Sequence, residues 1–182
     1  AGSSDFLVGA EGRLLDAWSL IGLVQYDFGT SQLNRFNLGT RYNPAPGKVV
    51  SLIYRYSREL VDQVGGQSEL KQTYLSGQWP LSDNWTLIGA WNYSFPDRKT
   101  LEAVAGLEYN GGCWVLRVVG QQLTTTTETR TNSIFVQLEL NALARVGTSP
   151  LELLRRTVPG YMRTNDPTVT QRDRSYDPLP EF

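Results

Sequence analysis

The sequence contains no histidine, one cysteine and one methionine, and neither sign of charge prevails: 17 Lys plus Arg stand against 18 Asp plus Glu in 182 residues. Without histidine there is no Ser-His or Cys-His couple and no imidazole metal ligand. Carboxylates are the only groups left for acid–base work, so the sequence gives no support to an enzyme or to a bound cofactor. A single cysteine excludes an internal disulfide framework. The near-neutral balance offers no electrostatic reason for a nucleic-acid partner. No apolar run reaches the ~20 residues of a membrane helix. The mean hydropathy of −0.32 therefore argues against helical membrane proteins only, because barrel strands alternate polar with apolar residues and look soluble on any average. The first residues, Ala1-Gly2-Ser3-Ser4, have neither the basic nor the apolar region of a signal peptide.

What the chain does have is 9 Tyr, 6 Phe, 5 Trp and 17 Gly, arranged with a period of two. Alternation and turn residues predict nine strands, at about 5–12, 17–27, 33–43, 48–57, 70–79, 85–95, 100–109, 114–123 and 132–144. In the sixth, Trp85, Leu87, Gly89, Trp91, Tyr93 and Phe95 share one face, with Asn84, Thr86, Asn92 and Ser94 on the other. In the ninth, Ile134, Val136, Leu138, Leu140 and Ala142 oppose Gln137, Glu139 and Asn141. Charges inside strands (Glu11, Arg35, Arg41, Arg55, Glu102, Glu108, Arg117, Glu139) fall opposite the apolar face; Lys71, beside a connection, is the exception. Every connection suits a hairpin, so the expected fold is all-β, an antiparallel meander.

Alternation does not separate a soluble barrel or sandwich, with Trp in its core, from a membrane barrel. Two further patterns favour the membrane. Trp18, Tyr42, Trp79, Trp85, Tyr109 and Trp114 lie at one end of the strands, and Tyr26, Phe36, Tyr54, Tyr56, Tyr93 and Phe95 lie towards the other. Leu, Val, Ala and Gly fill the band between, as expected where amphipathic rings sit at two lipid–water interfaces. Alternate connections are short (13–16, 44–47, 80–84, 110–112), whereas the opposite set includes the two longest, 57–69 and 124–131. Short periplasmic turns and longer external loops are the rule in outer-membrane barrels. The expected organisation is a barrel segment over 1–145, then a periplasmic segment over 146–182. That segment starts with a short helix, Ser149 capping it and Pro150 at its first position, and is irregular from Met162 to Phe182.

Glu108, Arg117 and Glu139 lie on one face of three consecutive strands. If Trp114 pairs with Tyr109, Arg117 stands opposite Gly106 and diagonal to Glu108. The expected role is a charge cluster that satisfies inward-facing groups.

Three stretches, SGQWPLSDNWTLIGAWNYSF (76–95), RKTLEAVAGLEYNGGCWVLRVV (98–119) and SIFVQLELNALARVGTSPLELLRRTVPGY (133–161), resemble the LptD family of lipopolysaccharide-assembly proteins. The resemblance implies the C-terminal part of a large outer-membrane β-barrel with the lipoprotein LptE plugged inside. Such a barrel delivers lipopolysaccharide to the outer leaflet and opens sideways between its first and last strands. It further implies that Cys113 matches the second of two adjacent family cysteines bridged to an N-terminal domain, with Gly112 where the first would stand. It also implies that the last strand, through Ile134, Phe135, Val136, Leu138 and Leu140, is the signal read by the barrel-assembly machinery and one side of the seam. Two other readings remain: an autonomous small outer-membrane barrel with a structural or adhesive role, and a soluble lipid-binding barrel.

Overall fold

The computed structural model describes residues 5–29, 31–59, 68–124, 129–140 and 144–164. The interiors of both long connections, at 60–67 and 125–128, and the tail from 165 lie outside the described residues. The strands are β1 (Asp5–Leu15), β2 (Trp18–Asp27), β3 (Gln32–Ala45), β4 (Lys48–Glu59), β5 (Ser68–Pro80), β6 (Trp85–Ser94), β7 (Lys99–Asn110), β8 (Trp114–Thr124), β9 (Arg130–Leu140) and β10 (Ala144–Gly147). One helix, α1 (Leu151–Thr157), follows. All ten strands form a single antiparallel sheet in chain order, so the expected all-β meander is what forms.

Register sorts the two faces. The row Trp18, Tyr42, Val50, Gly77, Gly89, Ala105, Gly120 and Ile134 runs straight across β2 to β9. It belongs to an outer face that leaves large apolar side chains uncovered, among them Leu52, Leu75, Leu87, Trp91, Leu107, Val118 and Val136. The alternate positions make an inner face that carries Arg41, Ser51, Ser76, Thr86, Glu108, Arg117, Gln121 and Glu139, all buried. Lys71 remains the exception, on the outer face at the strand end, 5.5 Å over the Tyr56 ring and 2.5 Å from Glu69.

The rings form contacts at both ends of the strands. Trp18 meets Tyr42 at 4.8 Å, and Tyr109 meets Trp85 at 4.9 Å and Trp114 at 5.1 Å. Lys48 sits 5.6 Å over the Trp79 ring. At the opposite end Tyr54 lies 6.4 Å from both Phe36 and Phe95.

The end of the meander departs from expectation. The ninth strand was expected to run from 132 to 144, but β9 stops at Leu140 and the chain returns as β10, pairing residues 144–147 with 140–137. An open sheet edge presents unpaired donors and acceptors, and the next segment of the same chain takes them. The boundary expected at 145/146 falls inside β10. Beyond it, Ser149 does not cap the helix. Pro150 is the N-cap residue (φ −81°) with no side-chain cap bond, and its carbonyl accepts from Leu154 N–H at 2.9 Å. Glu152 in the first turn and Arg155 and Arg156 in the last suit the helix dipole.

Candidate functional site

Apolar residues interrupt the polar inner face. Val49 on β4, Ile88 and Ala90 on β6, Val104 on β7 and Val119 on β8 make a patch that strand alternation alone would not place there. α1 covers it: Leu154 and Val158 join these side chains in one buried cluster, against which Tyr74, Phe135, Leu153 and Tyr161 pack. Each fully buried aliphatic side chain contributes about 1.5–3 kcal/mol. Phe135 thus faces inward, while Ile134, Val136, Leu138 and Leu140 of the same strand are exposed outward.

Polar bonds then fix the chain that follows the helix. Tyr74 Oη donates to the Thr157 carbonyl. The Gln78 side chain grips the Met162 backbone twice, donating to its carbonyl at 2.7 Å and accepting from its N–H at 2.9 Å. Asn110 Nδ2 donates to the Thr164 carbonyl at 3.1 Å. Residues 162–164, expected to be irregular, are therefore held against the sheet.

At the centre is the predicted triad, with a different register. Arg117 stands directly opposite Glu108, not diagonal to it, because Tyr109 pairs with Leu116 and not with Trp114. The tight turn sets this offset: Gly112 (φ 82°) lets Gly111 N–H reach Trp114 O at 2.9 Å, so the ladder begins at Asn110 and Val115. Arg117 Nε donates to Glu108 Oε2 at 2.9 Å, and Nη1 donates to Glu139 Oε2 at 2.6 Å. The Arg117 and Glu108 side chains are 0% exposed and that of Glu139 is 7% exposed, so this cluster stands or falls on pairing.

Strands β7 to β9 supply only part of the network. Glu139 also pairs with Arg145 of β10 at 3.2 Å and with Arg163 of the returning chain. Glu108 accepts from Tyr161 Oη at 2.8 Å and from both the backbone N–H and the hydroxyl of Thr164. Burial pushes the Tyr161 phenol well above its ordinary range, and the Glu108 carboxylate beside it adds to that. Sequence reasoning found Glu108, Arg117 and Glu139 but missed Tyr74, Gln78, Arg145, Tyr161, Arg163 and Thr164. The signal for a covering segment was the apolar patch at Ile88, Ala90, Val104 and Val119, on strands whose other inward positions are polar.

The other predicted residues fall in two places. Trp18, Tyr42, Trp79, Trp85, Tyr109 and Trp114 are brought together along one rim of the outer face. Cys113 is an exposed free thiol in the turn between Tyr109 and Trp114. No group of three or more Cys, Asp or Glu side chains positioned to hold a metal occurs among the described residues.

Comparison with known proteins supplies the family. The family described as LptD, LPS transport system D, matches residues 1–85. The LPS-assembly protein LptD of Azoarcus sp. (strain BH72) is 41% identical over 168 residues, 92% of this chain and 20% of that protein. Its counterpart in Thiobacillus denitrificans is 39% identical over 90% of this chain and 21% of its own length. The one in Polaromonas sp. (strain JS666) is 36% identical over 96% of this chain and 22% of its own length. The chain spans about a fifth of the length of the relatives it matches, and it belongs to the LptD family.

Proposed function

We propose that this chain is part of the wall of an outer-membrane β-barrel that assembles lipopolysaccharide in the outer leaflet, with β9 as one side of a lateral seam. The observation that carries the membrane reading is the two-faced sheet. Its outer face exposes Leu75, Leu87, Leu107 and Val118 between two sets of aromatic rings, while charged groups are buried on the inner face. A water-exposed face would not keep so broad an aliphatic band, whereas lipid selects it. The lipopolysaccharide substrate rests on the relatives' names, LPS-assembly protein. Outer-membrane lipid is then the partner of the outer face. A plug lipoprotein of the LptE type would lie on the inner side, and the barrel-assembly machinery would read β9 during folding. By the family resemblance Cys113 would bridge to an N-terminal domain of the parent protein, and the oxidising periplasm would allow that bond. The tail beyond Thr164 would lie on the periplasmic side.

An autonomous small barrel would require its end strands to pair. Among the described residues β1 pairs only with β2, and the sheet is open. A photocrosslinking residue placed at Ile134 in the parent protein tests the seam: irradiation of cells should yield lipopolysaccharide adducts. A folded barrel that gives no more adducts there than at a control position on the outer face, Leu87, would count against β9 as the seam. For Cys113, a maleimide should label the parent only after reduction.

A further inference from the structure

The edge of β9 is divided. β10 occupies the positions from Gln137 to Leu140, and no other described strand pairs with that edge from Arg130 to Val136. Two contacts fix where β10 ends. Gly147 has φ 99°, and a Cβ there would stand 2.2 Å from the Val136 carbonyl oxygen. Only glycine fits this approach. Arg145 pairs with Glu139, the carboxylate that also binds Arg117 and Arg163. β10 is therefore tied both to the edge it covers and to the inner network that holds the returning chain.

We propose that β10 is a built-in edge cap that confines the docking surface of β9 to the seven positions Arg130–Val136. The occupant of that surface is a strand of the same barrel lying outside these 182 residues, with alternating apolar side chains to continue the face of Ile134 and Val136. This rests on the seam reading above and adds its extent. The other strand pairs β1 to β9 carry ladders over most of their length, whereas the closing strand must stop where β10 begins. The cap lies at the end of β9 marked by Trp114, which pairs with Leu140. The seam is thus short-paired at that rim by construction, because the backbone groups that would extend it are already bonded to β10. Alternation sets what the incoming strand must look like: Ile134 is 77% exposed and Val136 49%, on the outer side. A polar residue facing lipid beside them would be disfavoured.

Cysteine crosslinking in the full-length protein in native outer membranes tests this, with products identified by mass spectrometry. Leu138→Cys with Val146→Cys, direct cross-strand partners, should crosslink as readily as the control pair Leu116→Cys with Leu138→Cys on β8 and β9. Ile134→Cys carrying a maleimide-linked benzophenone should photocrosslink to a strand outside these residues, and Leu138→Cys labelled in the same way should not. Adding Gly147→Val should reduce the 138–146 product several-fold and open Leu138→Cys to that outside strand, with the control pair unchanged. If the control forms but 138–146 does not, or if Leu138→Cys reaches the outside strand in the presence of Gly147, the cap is wrong while the seam stands. If Ile134→Cys reaches no outside strand, the seam reading itself fails, whatever β10 does.

Discussion

The two faces of this sheet use the same backbone and opposite rules. Outside, Leu87 and Leu107 are 44% and 41% exposed, side by side in register, and no polar partner is required of them. Inside, one position away on the same strands, Glu108 is 0% exposed and its carboxylate is held by Arg117, Tyr161 and Thr164. The outer face can tolerate an exchange of one aliphatic residue for another because lipid has no fixed shape. The inner face cannot tolerate loss of a partner, because the charge left behind stays buried. The two faces should therefore fail in different ways.

The largest effect is expected at the centre of the inner face. Arg117→Ala leaves Glu108 buried with only neutral donors, and breaking a buried pair in this way costs about 3–5 kcal/mol. Denaturant unfolding in detergent should show it. Arg145→Ala, at a side chain 57% exposed, should fall within about 1 kcal/mol of the parent. Equal losses at both would mean that the inner network is wet and that burial does not set its energy.

Leu154→Ala probes the cover. Leu154 is 0% exposed within the apolar patch, and a Leu→Ala change in a core costs about 2–5 kcal/mol. The loss should be local, lifting α1 from the sheet. Trypsin should then cut at Arg155 or Arg156 while the strands stay protected. Global unfolding with no such nick would show that helix and sheet are one cooperative unit.

The outer face is probed by Leu87→Arg, which should destabilise by about 2–4 kcal/mol if it lies near the bilayer midplane. Gln72→Arg is the inward comparison. It lines an open cleft of about 400 Å³ with Arg55, Asn92, Glu102 and Arg156, so a longer charged side chain has room to turn away from Arg55 opposite it and to stay in a polar setting. A loss at Gln72→Arg as large as that at Leu87→Arg would undo the assignment of the faces.

The order and facing of β1 to β9 were legible in the sequence because a period of two reports one thing, the side of the sheet. Trp85, Leu87 and Trp91 could be placed outward without knowing any neighbour. The Arg117–Glu108 register was misjudged by two residues, since it depends on how the Asn110–Gly112 turn closes, and Trp114 was taken to begin the ladder one pair too early. The docking of α1 was not legible from residues 149–161 alone: the information lay in Ile88, Ala90, Val104 and Val119, whose inward apolar side chains needed a partner. β10 was hidden for a different reason. In the sequence Ala142 and Ala144 simply extend the apolar face of Leu138 and Leu140, so the reversal shows only in the pairing of residues 144–147 with 140–137. The family resemblance was carried by stretches between 76 and 161, whereas the family match covers 1–85, so the two lines of argument rest largely on different residues.

Apart from the Arg145 comparison, the smallest expected effect is at Tyr161, where inner face and returning chain meet. Its hydroxyl donates to Glu108 at 2.8 Å, and losing one such bond to a charged acceptor costs about 1.5–3 kcal/mol at most. Because Thr164 also serves Glu108, Tyr161→Phe should cost nearer the lower end. The pH dependence is the sharper readout. The folded-state pKa of the phenol is raised, first by burial and then by Glu108, so the neutral form is the one the fold binds. That contribution is complete below the unfolded value of about 10 and is lost as pH rises through the folded value. Docking of residues 158–164 should accordingly hold at neutral pH and weaken progressively above about pH 10. Tryptic cutting at Arg163, followed from pH 8 upward with the protease calibrated at each pH, should accelerate in the parent. In Tyr161→Phe it should be faster at pH 8 and flat thereafter. The same alkaline rise in Tyr161→Phe would assign the titration to another group and remove Tyr161 from the set that holds the returning chain.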